Sequence, residues 1–326
     1  MIAAGAGACV VCGTPEPLAW PAVLAPFVAE RVGRSPVACR LLECRVCGHR
    51  FFDLALDGAE LKRLYSDYRG EEYLRVRRRW EPWYTRRTNE AIGADPGEIS
   101  RRRASLAAYL DRLVPAEVRA GAVLDYGGDR GQFIPHGLGR ARYLYDVSGR
   151  PPVAGVMALR EAGQLARQRL DLVLLCHVLE HVADPLVFLR TIQGELGERS
   201  ATHWIYVEVP LERHRIWKLR LPTGSLRSPR VPFIARWRPA WLAADFCSTA
   251  CRVKLGLVPP LGIMKLHEHV GFFSAGSLRT LLERAGYQVV DVAVDAASGS
   301  AGIGQVLRIV GRRVADGGRA GAGGIA

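Results

Sequence analysis

The hydrophobic positions in the middle of the chain form short continuous runs separated by stretches with helical periodicity. Continuous apolar runs are typical of strands that are buried on both faces of a parallel sheet. The predicted strands cover, in chain order, residues 122–126, 143–146, about 153–156, 171–176, 204–210, 289–294 and 305–310. The predicted helices begin at Gln132 and cover residues 158–169 and 278–285. Alternation of strands with helices favours an α/β fold with a doubly wound, seven-stranded sheet.

The remaining chain divides around this α/β region. At 326 residues it is long enough for one large domain or two smaller ones with a real core. We expect a small N-terminal module over 1–55, a helical linker or lid over 56–115, the α/β domain over 116–313 with an insertion at 211–265, and a disordered tail over 314–326. The tail is rich in glycine and alanine and poor in bulky apolar residues, which is typical of disorder.

Two C-x-x-C pairs, each followed by glycine, lie in the N-terminal module. They consist of Cys9, Cys12, Cys44 and Cys47. Thiolates at this spacing form a tetrahedral zinc cage, and a zinc ion that takes four protein ligands is structural, not catalytic. The gap between the pairs exceeds the usual range of about 15–20 residues, so the predicted zinc ribbon is elaborated. Cys39 and His49 are alternative ligands, and disulfides are disfavoured in a cytoplasmic protein.

A glycine-rich loop follows the first predicted strand of the α/β region. The stretch from Asp125 to Gly131 has the pattern D-x-G-x-x-x-G, and glycines let a backbone pass closely under a cofactor. Asp146 ends the second strand, close to the roughly 20-residue spacing at which a carboxylate meets a ribose. The nicotinamide pattern G-x-G-x-x-G fails, because Asp129 occupies its middle position. We expect the cofactor site to contain Asp125, Gly127, Gly128, Gly131 and Asp146.

The fourth strand ends in the segment from His177 to Pro185, with the sequence H-V-L-E-H-V-A-D-P. Ligands bind at the carboxyl ends of strands in open α/β sheets. The glycine loop resembles motif I of the class I S-adenosylmethionine methyltransferases, and this segment resembles a second motif of that superfamily. The resemblance implies a Rossmann-like fold and S-adenosylmethionine as cofactor. We assign His177 and Val178 to the cofactor site and His181 to proton transfer.

The densest group of proton-handling side chains is His267-Glu268-His269, which follows Leu266. Together with the four-cysteine module, it resembles the Y-H-E-H-Y-x-y-F-S segment of zinc-ribbon sugar C-methyltransferases. Those enzymes methylate a carbon beside a keto group of a nucleotide sugar. The resemblance implies base and proton-relay roles for Glu268 and His269 and a supporting role for His267. Leu266 stands where that family has tyrosine. The alternative is that both histidines only hold the loop in place.

The net charge of +13 favours an anionic partner, such as a phosphate-bearing substrate, a nucleic acid or a membrane surface. Arginines and aromatic residues are mixed between residues 54 and 113, a composition that suits single-stranded nucleic acid. We favour a helical linker instead, because no nucleic-acid motif accompanies the pattern. A lid over the cofactor is a third reading, and it would use Tyr65, Tyr68 and Tyr73.

The insertion at 211–265 is basic and aromatic, and the sequence leaves three roles open for it. It could rest on an anionic membrane, close over a substrate and grip a diphosphate with arginines, or be a solvated insertion. The N terminus lacks the features of a signal peptide, and no apolar run could span a bilayer. We therefore expect a cytoplasmic protein. The pattern is silent on oligomeric state.

Three functions compete. The favoured one is methyl transfer from S-adenosylmethionine to a carbon or oxygen of a small molecule, such as a nucleotide-linked sugar or another secondary-metabolite or envelope precursor. The second is methylation of RNA or protein, in which the ribbon and the arginines hold a polymer. The third is a non-catalytic scaffold that binds S-adenosylmethionine. The fold alone does not identify the acceptor.

Overall fold

The computed structural model describes residues 7–212, 215–216, 237–258, 264–296 and 305–313. The predicted disordered tail at 314–326 lies outside the described residues. So does most of the basic part of the insertion, on which the choice among a lid, a membrane element and a solvated segment depends. Among the described residues, no helix is long and apolar enough to cross a bilayer.

The strands form one large sheet, one small sheet and a short parallel pair. In chain order they are β1 (Leu18–Leu24), β2 (Ala38–Glu43), β3 (Arg50–Phe52), β4 (Ala122–Tyr126), β5 (Ala141–Tyr145), β6 (Met157–Leu159), β7 (Leu172–Cys176), β8 (Trp204–Leu211), β9 (Arg215–Ile216), β10 (Leu257–Val258), β11 (Lys265–Leu266), β12 (Gly271–Phe272), β13 (Tyr287–Ala296) and β14 (Gln305–Arg313).

The helices surround these sheets and fill the connection between them. They are α1 (Pro26–Val32), α2 (Gly58–Tyr65), α3 (Glu71–Trp80), α4 (Arg86–Ala91), α5 (Pro96–Leu113), α6 (Ala116–Arg119), α7 (Ala162–Leu165), α8 (Pro185–Leu196), α9 (Arg238–Leu255) and α10 (Ala275–Arg284). Short 3-10 helices cover Leu179–His181 and Glu198–Ser200.

The large sheet has the strand order β13-β14-β8-β7-β4-β5-β6. Strands β4 to β8 run parallel, and β14 runs antiparallel to both of its neighbours. This confirms the doubly wound, seven-stranded sheet that the apolar runs predict. Strand β4 pairs with β5 on one side and with β7 on the other, so the chain order changes direction there. Ligands bind outside the carboxyl ends of the strands at such a switch point.

The small sheet joins the N-terminal module to a distant part of the chain. Its order is β11-β1-β2-β3-β12, in which β11 runs parallel to β1 and β12 antiparallel to β3. The residues between β11 and β12 include the His267–His269 segment. This segment is therefore fixed at both ends by edge strands of the small sheet. The hydroxyl of Ser274, the N-cap of α10, adds a hydrogen bond of 2.7 Å to the carbonyl oxygen of Cys47.

Three predicted elements near the glycine loop are wrong. No helix begins at Gln132, since residues 128–139 form turns, and a proline with two glycines disfavours a helix in this short segment. The strand predicted at about 153–156 instead covers Met157–Leu159, and the helix predicted at 158–169 shrinks to α7. Parallel pairing of β6 with β5 takes the residues that the helical pattern had claimed. Tertiary pairing thus overrides local periodicity.

Candidate active site

The glycine loop makes a sharp turn directly after β4. Gly127 has a φ of +78°, and its N–H donates to the carbonyl oxygen of Tyr145 at the end of β5. A Cβ at Gly127 would lie 2.8 Å from Cγ2 of Val178, which is closer than real Cβ contacts come. Gly131 also has a positive φ, of +70°. Both the backbone conformation and the close approach of Val178 therefore require glycine at position 127.

Asp146 holds the loop from the neighbouring strand. Its Oδ2 accepts a hydrogen bond of 2.8 Å from the N–H of Asp129, and its Oδ1 accepts one of 2.7 Å from the N–H of Ser148. The Asp129 carboxylate in turn pairs with Arg150 at 2.9 Å. Each oxygen of an ionised carboxylate has a further lone pair. Asp146 therefore organises the loop and keeps acceptor capacity for a hydroxyl group.

Asp125 lies under the loop at the end of β4 and is 1% exposed. Burial, and then the charge of Asp146, raise the pKa of Asp125 to about 7. Its Oδ1 has no hydrogen-bond partner within the described part of the chain. A buried acceptor without a partner is costly. A donor from a bound molecule would satisfy it, so this carboxyl fits a cofactor site.

His177 connects two carboxylates at the end of β7. Its Nδ1 lies 3.2 Å from Oε1 of Glu180, and its Nε2 lies 3.2 Å from Oε1 of Glu208 on β8. Burial lowers the pKa of His177, but the hydrogen bonds to the two carboxylates outweigh it and raise the pKa to about 9. The residue also has a φ of +58°, which is unusual for a side chain with a Cβ. His177 is thus a protonated side chain that bridges Glu180 and Glu208, and its backbone is strained.

Two further histidines, His181 and His269, are in contact with each other. In each of them, Nδ1 is held by a hydrogen bond. The rings of His181 and His269 are 4.9 Å apart. Nδ1 of His181 lies 2.9 Å from the carbonyl oxygen of Glu268 and 3.1 Å from the hydroxyl oxygen of Tyr65. Nδ1 of His269 lies 2.8 Å from Oε1 of Glu212. Since a carbonyl or carboxylate oxygen only accepts, both Nδ1 atoms carry a proton, and in the neutral ring of either histidine the lone pair is on Nε2.

Glu180 completes this group from the 3-10 helix that follows β7. It is 1% exposed, and its Oε1 faces His177. Burial raises the pKa of Glu180, but the hydrogen bond from His177 leads the effects that lower it overall. Its Oε2 has no hydrogen-bond partner in the residues that the structure describes. An ionised, buried oxygen without a partner therefore lies beside two imidazoles.

The carboxylate of Glu268 faces away from this group. It accepts a hydrogen bond of 2.6 Å from the hydroxyl of Tyr73, and Arg77 lies 3.4 Å from it. Burial opposes ionisation of Glu268, but the charges of Arg77 and His267 outweigh burial and lower its pKa to about 2. His267 stacks on Phe27 at 5.2 Å between ring centres. Of the three side chains in the segment, that of His269 contacts His181. Glu268 contacts His181 through its backbone carbonyl oxygen.

The four predicted zinc ligands lie together at the base of the small sheet. The sulfur atoms of Cys9 and Cys47 are 3.7 Å apart, those of Cys12 and Cys44 are 3.4 Å apart, and all four lie within 4.8 Å of one another. Zinc–sulfur bonds of about 2.3 Å in a tetrahedron place sulfurs about 3.8 Å apart. This donor set therefore fits a zinc ion. The group of four does not include Cys39 or His49.

The sequence interpretation missed two acids that hold the histidines. Glu208 is buried in β8 and meets His177, Arg102 and Arg308. Glu212 follows β8 directly and meets His269. Glu212 has the signal that marks Asp146, an acidic residue directly after an apolar strand, whereas Glu208 is an isolated acid inside one. Their partners are distant in the sequence, so only the signal and not the contact could be found from it.

Comparisons with known proteins give a family for the chain. The family model described as a methyltransferase domain matches residues 99–292, which is more than half of the chain. No curated protein matches the sequence significantly. The chain is similar in structure to 1,6-didemethyltoxoflavin-N1-methyltransferase of Burkholderia thailandensis, with 15% identity, coverage of 85% of this chain and 96% of that chain, and a TM-score of 0.44.

Two other similar structures are also methyltransferases. For magnesium protoporphyrin IX methyltransferase from Synechocystis, the identity is 13%, the coverage is 72% of this chain and 93% of that chain, and the TM-score is 0.38. For an N-methyltransferase from Bradyrhizobium japonicum, the corresponding values are 12%, 67%, 98% and 0.35.

Proposed function

The chain belongs to the methyltransferase-domain family and is an S-adenosylmethionine-dependent methyltransferase, and from this premise we propose that it methylates a carbon or an oxygen of a small-molecule acceptor. The sulfonium of the cofactor supplies an activated methyl group. The remaining work of the protein is to align the two reactants and to remove a proton from the acceptor. Alignment alone can lower a barrier by up to about 7–11 kcal/mol.

In this proposal the cofactor lies over the glycine loop at the switch point of the sheet. Gly127, Gly128 and Gly131 let the backbone approach it, and the carboxylate of Asp146 accepts from its ribose. The unpartnered Oδ1 of Asp125 supports this placement, because it needs a donor that the described residues do not provide. His177 and Val178 form the opposite wall.

The observation that carries the proposal is the contact between Val178 and Gly127, where a Cβ would come within 2.8 Å. His181 follows Val178 by three residues and ends the 3-10 helix. The cofactor loop and the histidine group are therefore adjacent, with no other element between Val178 and the loop. A small acceptor that contacts His181 and His269 is close to a methyl group bound over Gly127.

His269 is the residue that takes the acceptor's proton in the protein without added ions. Glu212 holds the Nδ1–H, so Nε2 of the neutral ring has the lone pair that accepts the proton, and the carboxylate stabilises the imidazolium that forms. The alternative base, Glu268, has a pKa lowered to about 2 and is bound by Tyr73, which makes its carboxylate a weak base. We assign Glu268 and His267 to positioning. Tyr65, through its hydroxyl, positions His181.

The acceptor class is an anionic small molecule, of which a nucleotide-linked keto sugar is the leading candidate. The net charge of +13 supports an anionic acceptor. The resemblance of His267-Glu268-His269 to the sugar C-methyltransferase segment supports the sugar. Leu266 stands where the sugar C-methyltransferases have tyrosine. It is fully buried in the small sheet, so its side chain contributes to packing.

The N-terminal module, over about residues 1–55, is a zinc ribbon in this proposal, and its ion is structural. The separations among the four cysteine sulfurs support it. The ribbon also supports the acceptor site, because Ser274 binds the Cys47 carbonyl and the small sheet holds both ends of the His267–His269 segment. The segment 56–115 contacts the same group of residues, because Tyr65 binds His181 and Tyr73 binds the Glu268 carboxylate.

The test uses S-adenosylmethionine with a labelled methyl group and the zinc-loaded full chain. The acceptors are nucleoside-diphosphate keto sugars, hydroxylated aromatic acids, bulk RNA and a denatured protein mixture. We expect label on a carbon or oxygen of one of the small anionic molecules, with none on RNA or protein. Label on RNA or protein alone would overturn the acceptor class. Failure to bind S-adenosylmethionine in calorimetry would overturn the cofactor site.

A further inference from the structure

We propose that Glu180, His181 and His269 bind a divalent metal ion in the acceptor pocket, at a site separate from the four cysteines. One ligand atom from each of these residues lies within 4.8 Å of the other two. Bonds of about 2.0–2.6 Å to nitrogen and oxygen allow donors on one ion to be up to about 5 Å apart. The separations therefore suit a single ion.

The hydrogen bonds identify which atoms are free to bind. Nδ1 of His181 and Nδ1 of His269 each carry a proton towards an oxygen acceptor, and Oε1 of Glu180 faces His177. The remaining atoms are the Nε2 atoms of the two histidines and Oε2 of Glu180. Each of these three offers a lone pair, as a metal ligand must.

Glu180 supplies the second, independent observation. Its Oε2 is buried and has no partner among the described residues. Burying an ionised carboxylate oxygen without a partner is costly, and buried charges are normally paired or bound to a metal. A cation between Glu180 and the two histidines would remove this cost. The hydrogen bond from His177 satisfies only the other oxygen.

The surroundings of the histidines match those of metal ligands. A ligating histidine generally donates its second N–H to a carbonyl or a carboxylate, which fixes its tautomer and orientation. His181 donates to the Glu268 carbonyl, and His269 donates to Glu212. This explains why Glu268 contributes its backbone oxygen to the site while its carboxylate is bound by Tyr73 and Arg77.

Two imidazoles and one carboxylate suit a divalent first-row transition ion such as Mn²⁺, Fe²⁺, Co²⁺ or Zn²⁺. The four thiolates of the ribbon are softer and favour zinc, so hard Mn²⁺ distinguishes the two sites. Three protein ligands leave coordination positions open for other oxygens. The side chain of His269 is 35% exposed, so the group is accessible from the pocket.

The catalytic meaning of this ion rests on the proposed methyl transfer, whereas its binding does not. The acceptor would be a molecule with two neighbouring oxygens, at least one of them a hydroxyl, that chelate the ion. The ion lowers the pKa of the bound hydroxyl, whose proton leaves to solvent. The resulting oxyanion bonds to the methyl while the carbon–sulfur bond breaks and its electron pair stays on sulfur. His269 is then a ligand, and the ion replaces it in removing the proton.

The test is Mn²⁺ titration of the full chain loaded with one equivalent of zinc, which the four thiolates take up, followed by electron paramagnetic resonance of free Mn²⁺. We expect one Mn²⁺ per chain. Glu180→Gln and His269→Asn should weaken binding by more than about 100-fold, and Glu212→Gln, which removes an outer partner, by about 10–100-fold. His136→Asn changes an exposed histidine outside the group and should leave the affinity unchanged. His269 is not in the core, so its variant should fold, as circular dichroism would verify.

Absence of Mn²⁺ binding at millimolar concentration, or equal binding by the wild type and His269→Asn, would overturn the site. Calorimetry with S-adenosylmethionine and methyl transfer are measured on the same preparations. Full transfer after removal of the ion by a chelator would overturn the catalytic role of the ion and leave the proposed methyl transfer standing. Mn²⁺ binding without any affinity for S-adenosylmethionine would overturn the proposed methyl transfer and support the ion site.

Discussion

Nδ1 of His269 lies 2.8 Å from Oε1 of Glu212. This contact joins the loop between β11 and β12, which the small sheet holds, to the residue after β8 in the large sheet. The proposed acceptor site therefore draws its residues from two sheets. The carboxylate also selects the tautomer of His269 and raises the pKa of the ring against the opposing effect of burial. Glu212 is thus a positioning residue for whichever role Nε2 has.

We predict that His269→Asn reduces turnover by about 10²–10⁴-fold, the range that general acid–base catalysis contributes. The affinity for S-adenosylmethionine should stay within about twofold, because His269 is not in the glycine loop. Glu212→Gln keeps the shape but not the charge, and should lose less turnover than His269→Asn. Turnover is measured with the acceptor found in the labelling screen, and affinity by calorimetry. Wild-type turnover in His269→Asn would remove this residue from the reaction.

The cofactor loop gives a second prediction, for Asp146. Its carboxylate accepts from the N–H groups of Asp129 and Ser148, so Asp146→Ala removes two loop contacts together with the proposed ribose acceptor. Hydrogen bonds to charged groups contribute about 1.5–3 kcal/mol each. We expect the affinity for S-adenosylmethionine to fall by at least about 100-fold in calorimetry. Asp146→Asn, which keeps an acceptor oxygen, should lose less. Unchanged affinity in Asp146→Ala would exclude the ribose role.

Gly127→Ala tests the contact with Val178. The added methyl would meet Val178 at 2.8 Å in a backbone with a φ of +78°, which should cost about 1–3 kcal/mol of stability. Gly137→Ala is the matched control, since a Cβ there meets nothing within 4 Å. The double variant Gly127→Ala, Val178→Ala relieves the contact and leaves the backbone strain. We expect it to recover part of the loss in chemical denaturation. No difference between Gly127→Ala and Gly137→Ala would show that the loop adapts.

Much of the fold could be predicted, because the strands of the large sheet are local apolar runs. The glycine loop is also a local pattern, and it follows β4 where the sequence predicts it. The predictions that are wrong are those that depend on which strands pair. Residues 158 and 159 begin the predicted helix, but they pair with β5. No local signal shows that the chain after residue 264 supplies two strands to the N-terminal sheet.

In the candidate site, too, local motifs could be predicted and contacts between distant residues could not. His181 and His269 could be found because histidines cluster in short motifs there. The different environments of Glu268 and His269 could not be found, although they are neighbours in the chain. Arg77 and Tyr73, both far away in the sequence, bind the Glu268 carboxylate. Glu212, which follows a distant strand, binds Nδ1 of His269. Non-local contacts thus decide which of two adjacent polar side chains lies beside His181.

The four cysteines give a fourth prediction, which concerns metal content. We expect one zinc per chain by atomic absorption, and loss of it in Cys9→Ser or Cys44→Ser with a marked fall in thermal stability, because zinc binding contributes to folding. Cys39→Ser should retain the zinc, since Cys39 is not in the group of four. Cys247→Ser, at an exposed thiol, is a second control. Full zinc content in Cys9→Ser would assign the ion elsewhere.

His203 makes stability depend on pH. It is buried, its Nδ1 donates to the carbonyl oxygen of Ser200 at 2.7 Å, and its Nε2 lies 2.9 Å from the hydroxyl oxygen of Tyr287, which donates to it. Burial is the main effect on His203. The hydrogen bond to Ser200 opposes it and the charge of Arg313 adds to it, and the pKa falls from 6.5 to about 4. The folded protein therefore holds this ring neutral at a pH where the unfolded chain takes up a proton.

The direction of this pH dependence is set by which state takes up the proton. Between pH 6.5 and about 4 the unfolded state binds the proton and the folded state does not, so stability falls as the pH falls through this range. Above pH 6.5 the free energy of unfolding has its full value with respect to this group. Below about pH 4 it is lower by at most about 3 kcal/mol. We expect His203→Gln, whose amide can donate and accept, to flatten the dependence of the unfolding free energy between these pH values. His136→Asn removes an exposed histidine and should keep the wild-type slope. Equal slopes in wild type and His203→Gln, measured by urea denaturation, would show that the unfolding equilibrium does not depend on the protonation of His203.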